Sequence, residues 1–284
     1  MSDVVGAIER EFAAFAGTGG VAAKHLGTGE EIRVNADAET GTASTVKVPI
    51  LIELLRQVEA GLVDLETKIA DSPATRTQGS GILRNLSPGI PLSVRDVATL
   101  MIVVSDNTAT NMLIDLVGID RVNATMTAFG FPRTQLRNRI DFEKLGDDVR
   151  NFAVTTPGEL AGIMEALATG RILSDAGRAE ILRIMTMQHY RDSVPRYLPF
   201  TPFAVELDVP DNGLTIANKT GSWKGFRADV ALIEWPGTRY VIGIATDGDP
   251  DIRFWAENAG NRLIGRVSRL IFDHWGGGAL KGVS

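Results

Sequence analysis

Cysteine is absent from this sequence of 284 residues, and histidine occurs only three times. Without a thiol the chain has no disulfides, no thiolate nucleophile, no zinc–thiolate site and no iron–sulfur cluster. The three histidines, His25, His189 and His274, lie too far apart for the HxH or HExxH spacing of a metal site. The sequence therefore predicts no metal site and no redox chemistry carried by side chains.

Long apolar runs and an excess of basic residues are also missing. The 29 Lys and Arg against 35 Asp and Glu give a net charge of −6, which argues against a nucleic-acid-binding surface. No apolar run approaches the ~18 residues that span a bilayer, so we expect no membrane partner. The first residues lack the basic segment of a secretory signal, which predicts a cytoplasmic protein, or an extracytoplasmic one if the chain is a processed form.

The apolar pattern changes its period twice along the chain. Helical spacing over residues 3–16 is followed by two extended runs, 20–26 and 31–35. Helical spacing dominates from about 44 to 190, and extended runs return at 214–219, 226–234 and 239–246. A last helix is expected from about 250 to 274, and the irregular stretch 131–156 is expected to be a long surface loop.

This order of elements predicts a mixed α/β (α+β) fold. We expect one antiparallel sheet of about five strands, covered by the terminal helices, with an all-helical subdomain inserted between the strands. The sheet lobe would comprise residues 1–43 and 200–284, and the helical lobe residues 44–199, so the sheet lobe is discontinuous in sequence. A cleft between the lobes is the expected place for a site.

Ser44 is the serine that has a lysine, Lys47, three residues later. On a helix these positions share a face, about 5–6 Å apart at Cβ, so the amine can reach the hydroxyl. The free N–H groups and positive dipole of a helix start would also help to keep Lys47 neutral, and a neutral lysine is a base. The alternative is that Ser44 or Thr45 caps the helix and Lys47 is solvated.

Two more short motifs follow at long intervals. Ser105-Asp106-Asn107 precedes a predicted helix, where Ser105 could relay a proton and the Asn107 amide could bind substrate. Simple capping of that helix is the alternative. Lys219-Thr220-Gly221 ends an extended run, where Lys219 could supply positive potential and Gly221 would let a ligand approach the backbone; a polar strand end with a glycine bend is the alternative.

Each motif alone is weak, but their ordered combination is the signature of class A β-lactamases and penicillin-binding proteins. The sequence resembles that superfamily over nearly its whole length. The resemblance implies that Ser44 is the nucleophile of an acyl-enzyme and that Lys47 activates it. It also implies that Ser105 passes a proton to the leaving nitrogen and that Asn107 holds the side-chain amide of the substrate.

The same resemblance assigns the substrate carboxylate and the oxyanion. Lys219 and Thr220 would orient the carboxylate, with Arg227 as a further partner, unless Arg227 is a solvated surface residue. The backbone N–H groups of Ser44 and Ser222 would form the oxyanion hole. Trp223 is expected to be a packing residue, although it lies beside Ser222 in the sequence.

The sequence departs from the class A pattern at the step that releases the acyl group. Those enzymes position a water with Glu-x-x-x-Asn, and residues 137–145 contain no such motif. By ungapped counting Asp141 takes the place of the glutamate, one methylene or roughly 1.5 Å shorter, which is large against a ~0.5 Å catalytic tolerance. Glu143 is a second candidate, and the alternative for Asp141 is a loop residue paired with Arg137 or Arg139.

We therefore expect a serine hydrolase that opens a β-lactam or related amide through an acyl-enzyme, without a cofactor and as a monomer that binds a small molecule. An amidase, esterase or D,D-peptidase with another substrate is one alternative, favoured by the missing Glu-x-x-x-Asn and export signal. A penicillin-binding sensor or trap that is acylated without turnover is the other.

Overall fold

A computed structural model describes residues 4–202, 208 and 211–280 of the chain. The helices are α1 Val4–Ala13, α2 Lys47–Glu59, α3 Val94–Val103, α4 Asn107–Val117, α5 Ile119–Ala128, α6 Phe142–Leu145, α7 Pro157–Thr169, α8 Asp175–Thr186 and α9 Ala259–His274. The strands are β1 Thr18–His25, β2 Glu31–Val34, β3 Thr40–Gly41, β4 Lys68–Ile69, β5 Leu92–Ser93, β6 Gln135–Leu136, β7 Ala153–Thr155, β8 Thr215–Trp223, β9 Phe226–Trp235 and β10 Thr238–Asp247.

The main sheet has five antiparallel strands in the order β2-β1-β10-β9-β8. This confirms the predicted fold class: strands from both ends of the chain form one sheet, and helices lie between them in sequence. Strand β8 is an edge strand, so the backbone of Lys219-Thr220-Gly221 has a strand neighbour on one side only. Its other side faces the turn that carries Ser44.

The sheet separates two hydrophobic cores. On one face, apolar residues of α1 and α9 such as Ile8 and Ile264 pack with Ala231 and Ile233 of β9. On the other face, residues of β9 such as Val230 and Leu232 pack with the helices from the middle of the chain. Successive side chains of a strand point to opposite faces, and because both faces of β9 are covered, nearly all of its residues are buried.

Two sequence predictions about elements need correction. Helix α9 begins at Ala259, not near residue 250, because the Asn258 side chain accepts hydrogen bonds from the N–H groups of Gly260 and Asn261 and caps the helix there. Residues 131–156 are not a plain surface loop: they include β6, α6 and β7 and bury Ile140 and Phe152.

Other predicted bounds differ by a few residues. The first predicted helix corresponds to α1, and its first residue, 3, lies outside the described part of the chain. Helix α8 falls inside the region that was expected to be helical, although its limits were not predicted. The division of the chain into lobes at residues 43/44 and 199/200 stays a prediction.

Candidate active site

Ser44 lies on a single turn of 3-10 helix, Ala43–Val46, and Lys47 is the first residue of α2. In a 3-10 turn the residues i and i+3 are eclipsed, so the side chains of Ser44 and Lys47 leave the backbone on the same side. Ala43 has a φ of 43°, in the left-handed region that non-glycine residues rarely adopt. Backbone strain of this kind is concentrated at functional sites.

The Ser105 hydroxyl lies between two lysines. The Nζ of Lys47 and the Nζ of Lys219 are each 3.0 Å from Ser105 Oγ. Lys47 Nζ is also 2.8 Å from the Ser105 carbonyl oxygen and 3.0 Å from Asn107 Oδ1, and Lys219 Nζ donates to the Thr220 carbonyl oxygen at 2.8 Å. The three sequence motifs therefore meet around one hydroxyl, and both lysines are completely buried.

The turn between α3 and α4 is fixed by Asp106. Its carboxylate accepts from the N–H of Ala109 at 2.9 Å and so caps α4. It also accepts from the N–H groups of Ile82 and Leu83, at 2.6 and 2.8 Å. With these bonds in place, Ser105 is held at a φ of 53°, the second left-handed non-glycine residue of the site.

Burial lowers the pKa of both lysines, because an ammonium ion loses its hydration in the interior. Burial, and then repulsion from Lys219, lower the pKa of Lys47 well below its usual value. Burial lowers the pKa of Lys219 to about 7, and the nearby Asp229 opposes this shift. Asp229 is itself buried beneath the site, where loss of hydration raises its pKa to about 7.

A neutral Lys47 has two protons and one lone pair, so it accepts from one of its three partners. The Ser105 carbonyl oxygen and Asn107 Oδ1 have no proton to give, which leaves the Ser105 hydroxyl as the donor. The sequence predicted a contact between the Lys47 amine and the Ser44 hydroxyl, but in the described part of the chain no hydrogen bond joins them. The Lys47 amine instead contacts Ser105.

Strand β8 approaches the Ser44 turn as closely as its glycine allows. A Cβ atom placed on Gly221 would lie 2.6 Å from the Thr42 carbonyl oxygen and 3.2 Å from the Ser44 nitrogen. Real Cβ atoms do not come so near a backbone oxygen, so this position needs glycine. The close approach brings Ser222 beside Ser44, as a pair of backbone donors at an oxyanion hole requires.

Ser44 lies where two adjoining cavities meet. The larger, about 570 Å³, also has Asn107, Phe142, Ser222 and Trp223 in its wall. The smaller, about 360 Å³, is lined by polar groups that include Ser105, Thr220, Ser222, Arg227, Tyr190 and Asp192. Ser44 thus lies between one largely apolar space and one of mixed polarity.

A family model described as the β-lactamase enzyme family (Beta-lactamase2) matches residues 3–275. The chain belongs to this family. A β-lactamase of known structure from Sphaerobacter thermophilus is 32% identical, with a TM-score of 0.85 over 96% of this chain and 97% of that one. The fold, the family match and this relative together place the chain among β-lactamase-like hydrolases.

Two other relatives differ in their described roles. PBP-A is 28% identical, with a TM-score of 0.83 over 96% of both chains, and a variant of it is known as an acyl-enzyme complex with penicillin G. The β-lactamase regulatory protein BlaB of Streptomyces cacaoi is 31% identical over 123 residues, 43% of this chain. The match spans 39% of the length of BlaB.

Asp141 and Glu143, the predicted water-activating residues of this β-lactamase-like chain, line a third cavity of about 790 Å³ whose wall does not include Ser44. The Asp141 carboxylate caps α6 and lies 3.2 Å from Lys144 Nζ, and these contacts lower its pKa. The expected pairing of Asp141 with Arg137 or Arg139 needs correction, because Lys144 is its partner and Arg139 pairs with Asp115.

Arg227 and Asn107 lie at the site, and both are already hydrogen-bonded. Arg227 is 2% exposed, so it is not a solvated surface residue. Its guanidinium donates to the carbonyl oxygens of Trp223, Phe226 and Arg253. The Asn107 side chain accepts from Lys47 and donates to the Gln78 carbonyl oxygen at 3.0 Å, which fixes the amide between the lysine and the cavity wall.

Several residues of the two cavities were not identified from the sequence: Phe142, Phe152, Tyr190, Asp192 and Phe254. They belong to no motif, and they lie on segments whose path depends on tertiary packing. In the described part of the chain, no three His, Asp or Glu side chains are placed to hold a metal ion, and no helix is both long and apolar enough to cross a membrane.

Proposed function

We propose that this protein opens the ring of a β-lactam by transferring its acyl group to Ser44. The observation that carries the proposal is the Ser105 hydroxyl held at 3.0 Å from both Lys47 and Lys219, beside Ser44. Burial lowers the pKa of Lys47, which favours the neutral amine that can serve as a base. A general base next to a serine is what nucleophilic catalysis requires.

The side chains of Ser44, Lys47 and Ser105 account for every proton transferred in the acylation step. Ser44 Oγ attacks the lactam carbonyl carbon while its proton passes to the neutral amine of Lys47, whose lone pair must turn for this step from the Ser105 hydroxyl to that of Ser44. The negative charge on the carbonyl oxygen is stabilised by the N–H groups of Ser44 and Ser222. The carbon–nitrogen bond then breaks. Ser105 gives its proton to the leaving nitrogen and regains one from Lys47, which returns to the neutral form.

The smaller cavity supports binding of an anionic substrate. Thr220 and Arg227 line it, and Lys219 lies at its base through the Ser105 contact. A carboxylate on the substrate would meet the Arg227 guanidinium and the Lys219 amine, and hydrogen bonds from a charged donor to a carboxylate are strong. Lys219, Thr220 and Arg227 are therefore proposed to orient the substrate carboxylate, and Asn107 its side-chain amide.

We further propose that release of the acyl group is slow. Of the described carboxylates, Asp147 and Asp192 line the two cavities that contain Ser44. Asp147 is paired with Lys224 at 2.6 Å, and Asp192 accepts from Asn261 at 2.8 Å and has a pKa raised by burial. Asp147 is held by its ion pair, and Asp192 lies in the cavity where the substrate carboxylate is proposed to bind, which favours a penicillin-binding trap or a peptidase-like enzyme as the second candidate.

The test is intact-mass spectrometry after mixing with benzylpenicillin. We expect one adduct per chain on the unmodified protein and none on Ser44→Ala, while Ser87→Ala, which removes an exposed serine elsewhere, is labelled like the parent. Sustained turnover would contradict slow release. Undiminished labelling of Ser44→Ala would refute Ser44 as the nucleophile. The absence of an adduct on the parent protein would refute a β-lactam as the substrate.

A further inference from the structure

The smaller cavity beside Ser44 contains a carboxylate that has no cationic partner. Asp192 lines this cavity, and its Oδ2 accepts a hydrogen bond from Asn261 Nδ2 at 2.8 Å. Within the described residues, no lysine, arginine or histidine forms an ion pair with Asp192, and no other residue donates to its Oδ1. Burial raises the pKa of this carboxyl, because the charged form loses hydration that no ion pair replaces. A cationic ligand group would supply the missing partner.

Two arginines near Asp192 oppose the rise in its pKa, but both are bonded elsewhere. Arg196 pairs with the Glu257 carboxylate and donates to the Ala256 carbonyl oxygen at 2.7 Å. Arg227 donates to three backbone carbonyl oxygens, and these bonds hold its guanidinium in place. Neither arginine can turn toward Asp192 without giving up bonds to other groups, so the carboxylate stays available to a ligand.

Two aromatic side chains, Tyr190 and Trp255, line the same cavity and are 42% and 45% exposed. After burial, the charge of Asp192 is the next cause that raises the pKa of Tyr190, so the phenol and the carboxylate are neighbours. Asn261 Nδ2 also donates to the Trp255 carbonyl oxygen, at 3.3 Å, and so joins the Trp255 segment to Asp192. The Arg253 guanidinium lies 3.9 Å from the centre of the Trp255 ring. A carboxylate with aromatic rings beside it is a typical environment for an alkylammonium group.

The charges in the wall of this cavity favour a ligand that carries both signs. Among the described residues of the wall, the charged side chains are Arg227 and Asp192. A substrate with a carboxylate alone would bring a second negative charge into the space that Asp192 already occupies, and like charges repel strongly away from water. An ammonium group on the same substrate would remove this repulsion and complete the pairing of both wall charges.

We propose that Asp192 is a specificity-determining residue that binds an ammonium group on the leaving part of the substrate. The inference rests on the proposed function, because it takes the substrate carboxylate to lie at Thr220 and Arg227. The cavity is on the leaving side of the bond, since Ser105, the proposed donor to the leaving nitrogen, lines it. The preferred leaving group is then a diamino acid: its α-amine is acylated, its carboxylate meets Arg227, and its side-chain ammonium meets Asp192.

The test measures equilibrium binding to Ser44→Ala protein, which cannot form an acyl-enzyme at that serine. The ligands are Nα-acetyllysine and Nα-acetylnorleucine, both enantiomers of each, which share the amide, the carboxylate and a butyl chain and differ by the terminal ammonium. For the enantiomer that binds more tightly, we expect the lysine compound to bind about tenfold better than the norleucine compound, as a charge-assisted hydrogen bond in a cavity allows. Isothermal titration calorimetry gives the dissociation constants, and added salt should reduce the preference.

Variants in the same background assign the preference to Asp192. Asp192→Asn keeps the size of the side chain and an oxygen that can accept from Asn261 but removes the charge, so the preference should fall to within about twofold. Asp192→Glu, which keeps the charge, should retain part of it. Asp147→Asn is the matched control: it makes the same change of charge in the wall of the larger Ser44 cavity, and the preference should remain. Circular dichroism checks that each variant is folded.

The outcomes separate this inference from the proposed function. Equal affinities for the lysine and norleucine compounds, no measurable binding of either, or a preference that Asp192→Asn leaves intact would overturn the inference even if benzylpenicillin labels Ser44. A preference that Asp147→Asn abolishes as fully as Asp192→Asn would also overturn it, because the effect would then come from net charge. A preference for the lysine compound that depends on Asp192 alone would uphold the ammonium site even if no lactam labels the protein, in which case the proposed reaction would be wrong.

Discussion

The two buried lysines constrain each other through the hydroxyl that they share. Since each Nζ is 3.0 Å from Ser105 Oγ, the two nitrogens lie within about 6 Å of each other. Two ammonium ions at that distance repel by about 3 kcal/mol at an effective dielectric constant near 20. One amine is therefore neutral under most conditions, because burial lowers the pKa of both lysines and a charge on Lys219 lowers that of Lys47 further.

Asp141 is the residue whose predicted role the geometry supports least. Its side chain is 40% exposed, caps α6 and pairs with Lys144, in the wall of a cavity that does not include Ser44. We expect Asp141→Asn to change the rate of acyl release by no more than about twofold, because asparagine is an equally good cap. The measurement is the decay of the Ser44 adduct by intact mass.

A different result would restore Asp141 to the mechanism. If the adduct of Asp141→Asn persisted tenfold longer than that of the parent protein, the carboxylate would have to reach the acyl carbonyl through a movement of α6. Glu143→Gln serves as the comparison, since Glu143 lines the same cavity and carries the same charge. Equal decay of all three proteins is the expected result.

Among the elements, strand β8 is the one whose position decides whether the site forms. It contributes Lys219, Thr220 and Ser222, and it lies against the Ser44 turn only because Gly221 has no side chain. An edge strand is free on one side, so it could carry a larger residue by moving outward. Such a movement would separate the two backbone donors that the oxyanion needs.

We expect Gly221→Ala to lower the rate of Ser44 labelling roughly a hundredfold, the cost of a displacement near 1 Å in a catalytic site. Its stability should fall by about 1–3 kcal/mol from overpacking. Gly6→Ala is the control, because a Cβ there would meet only Arg10 at 3.5 Å on the surface of α1. Stopped-flow labelling and urea unfolding report the two effects; labelling at the parental rate would contradict the argument.

The elements that the sequence predicted well are those with a strong apolar period. The continuous apolar run in β9 reflects burial against two cores, and the helical spacing in α2 reflects burial against one, so the pattern carries the information. The segment before α9 has no such period. There the decisive signal is a single cap, Asn258, and a cap is easily overlooked inside a run of polar residues.

At the scale of the whole molecule, the candidate active site is assembled from three parts of the chain. The motifs at 44–47, 105–107 and 219–221 could be found in the sequence because the proposed reaction requires those residue types in fixed roles. The aromatic side chains of the larger cavity could not be assigned to a site from the sequence, because Phe142, Phe152 and Trp223 meet only through tertiary packing and an apolar cavity accepts many ring arrangements. A reaction restricts the residue types at given positions and so produces a sequence motif, whereas the packing of an apolar cavity does not.

Burying two amines for this chemistry reduces the stability of the fold. The pKa of Lys219 is about 7 in the folded protein, against the usual 10.5 for a hydrated lysine. Between these values the unfolded chain binds one more proton than the native state, so the free energy of unfolding rises with pH, by about 1.4 kcal/mol per unit for each such group. We therefore expect Lys219→Met to be more stable than the parent protein at pH 7.5.

The advantage of Lys219→Met should shrink by up to about 2 kcal/mol between pH 7.5 and 9, because only the parent protein gains stability from the lysine. Asp229 acts in the same direction. Without the lysine its pKa rises above the present value of about 7, so the variant loses stability as the pH rises. Urea unfolding at several pH values measures the difference in the free energy of unfolding between Lys219→Met and the parent protein. If the difference in unfolding free energy between Lys219→Met and the parent protein did not change with pH, Lys219 would have to stay charged in the folded protein. The fold would then hold this buried ammonium ion without loss of stability.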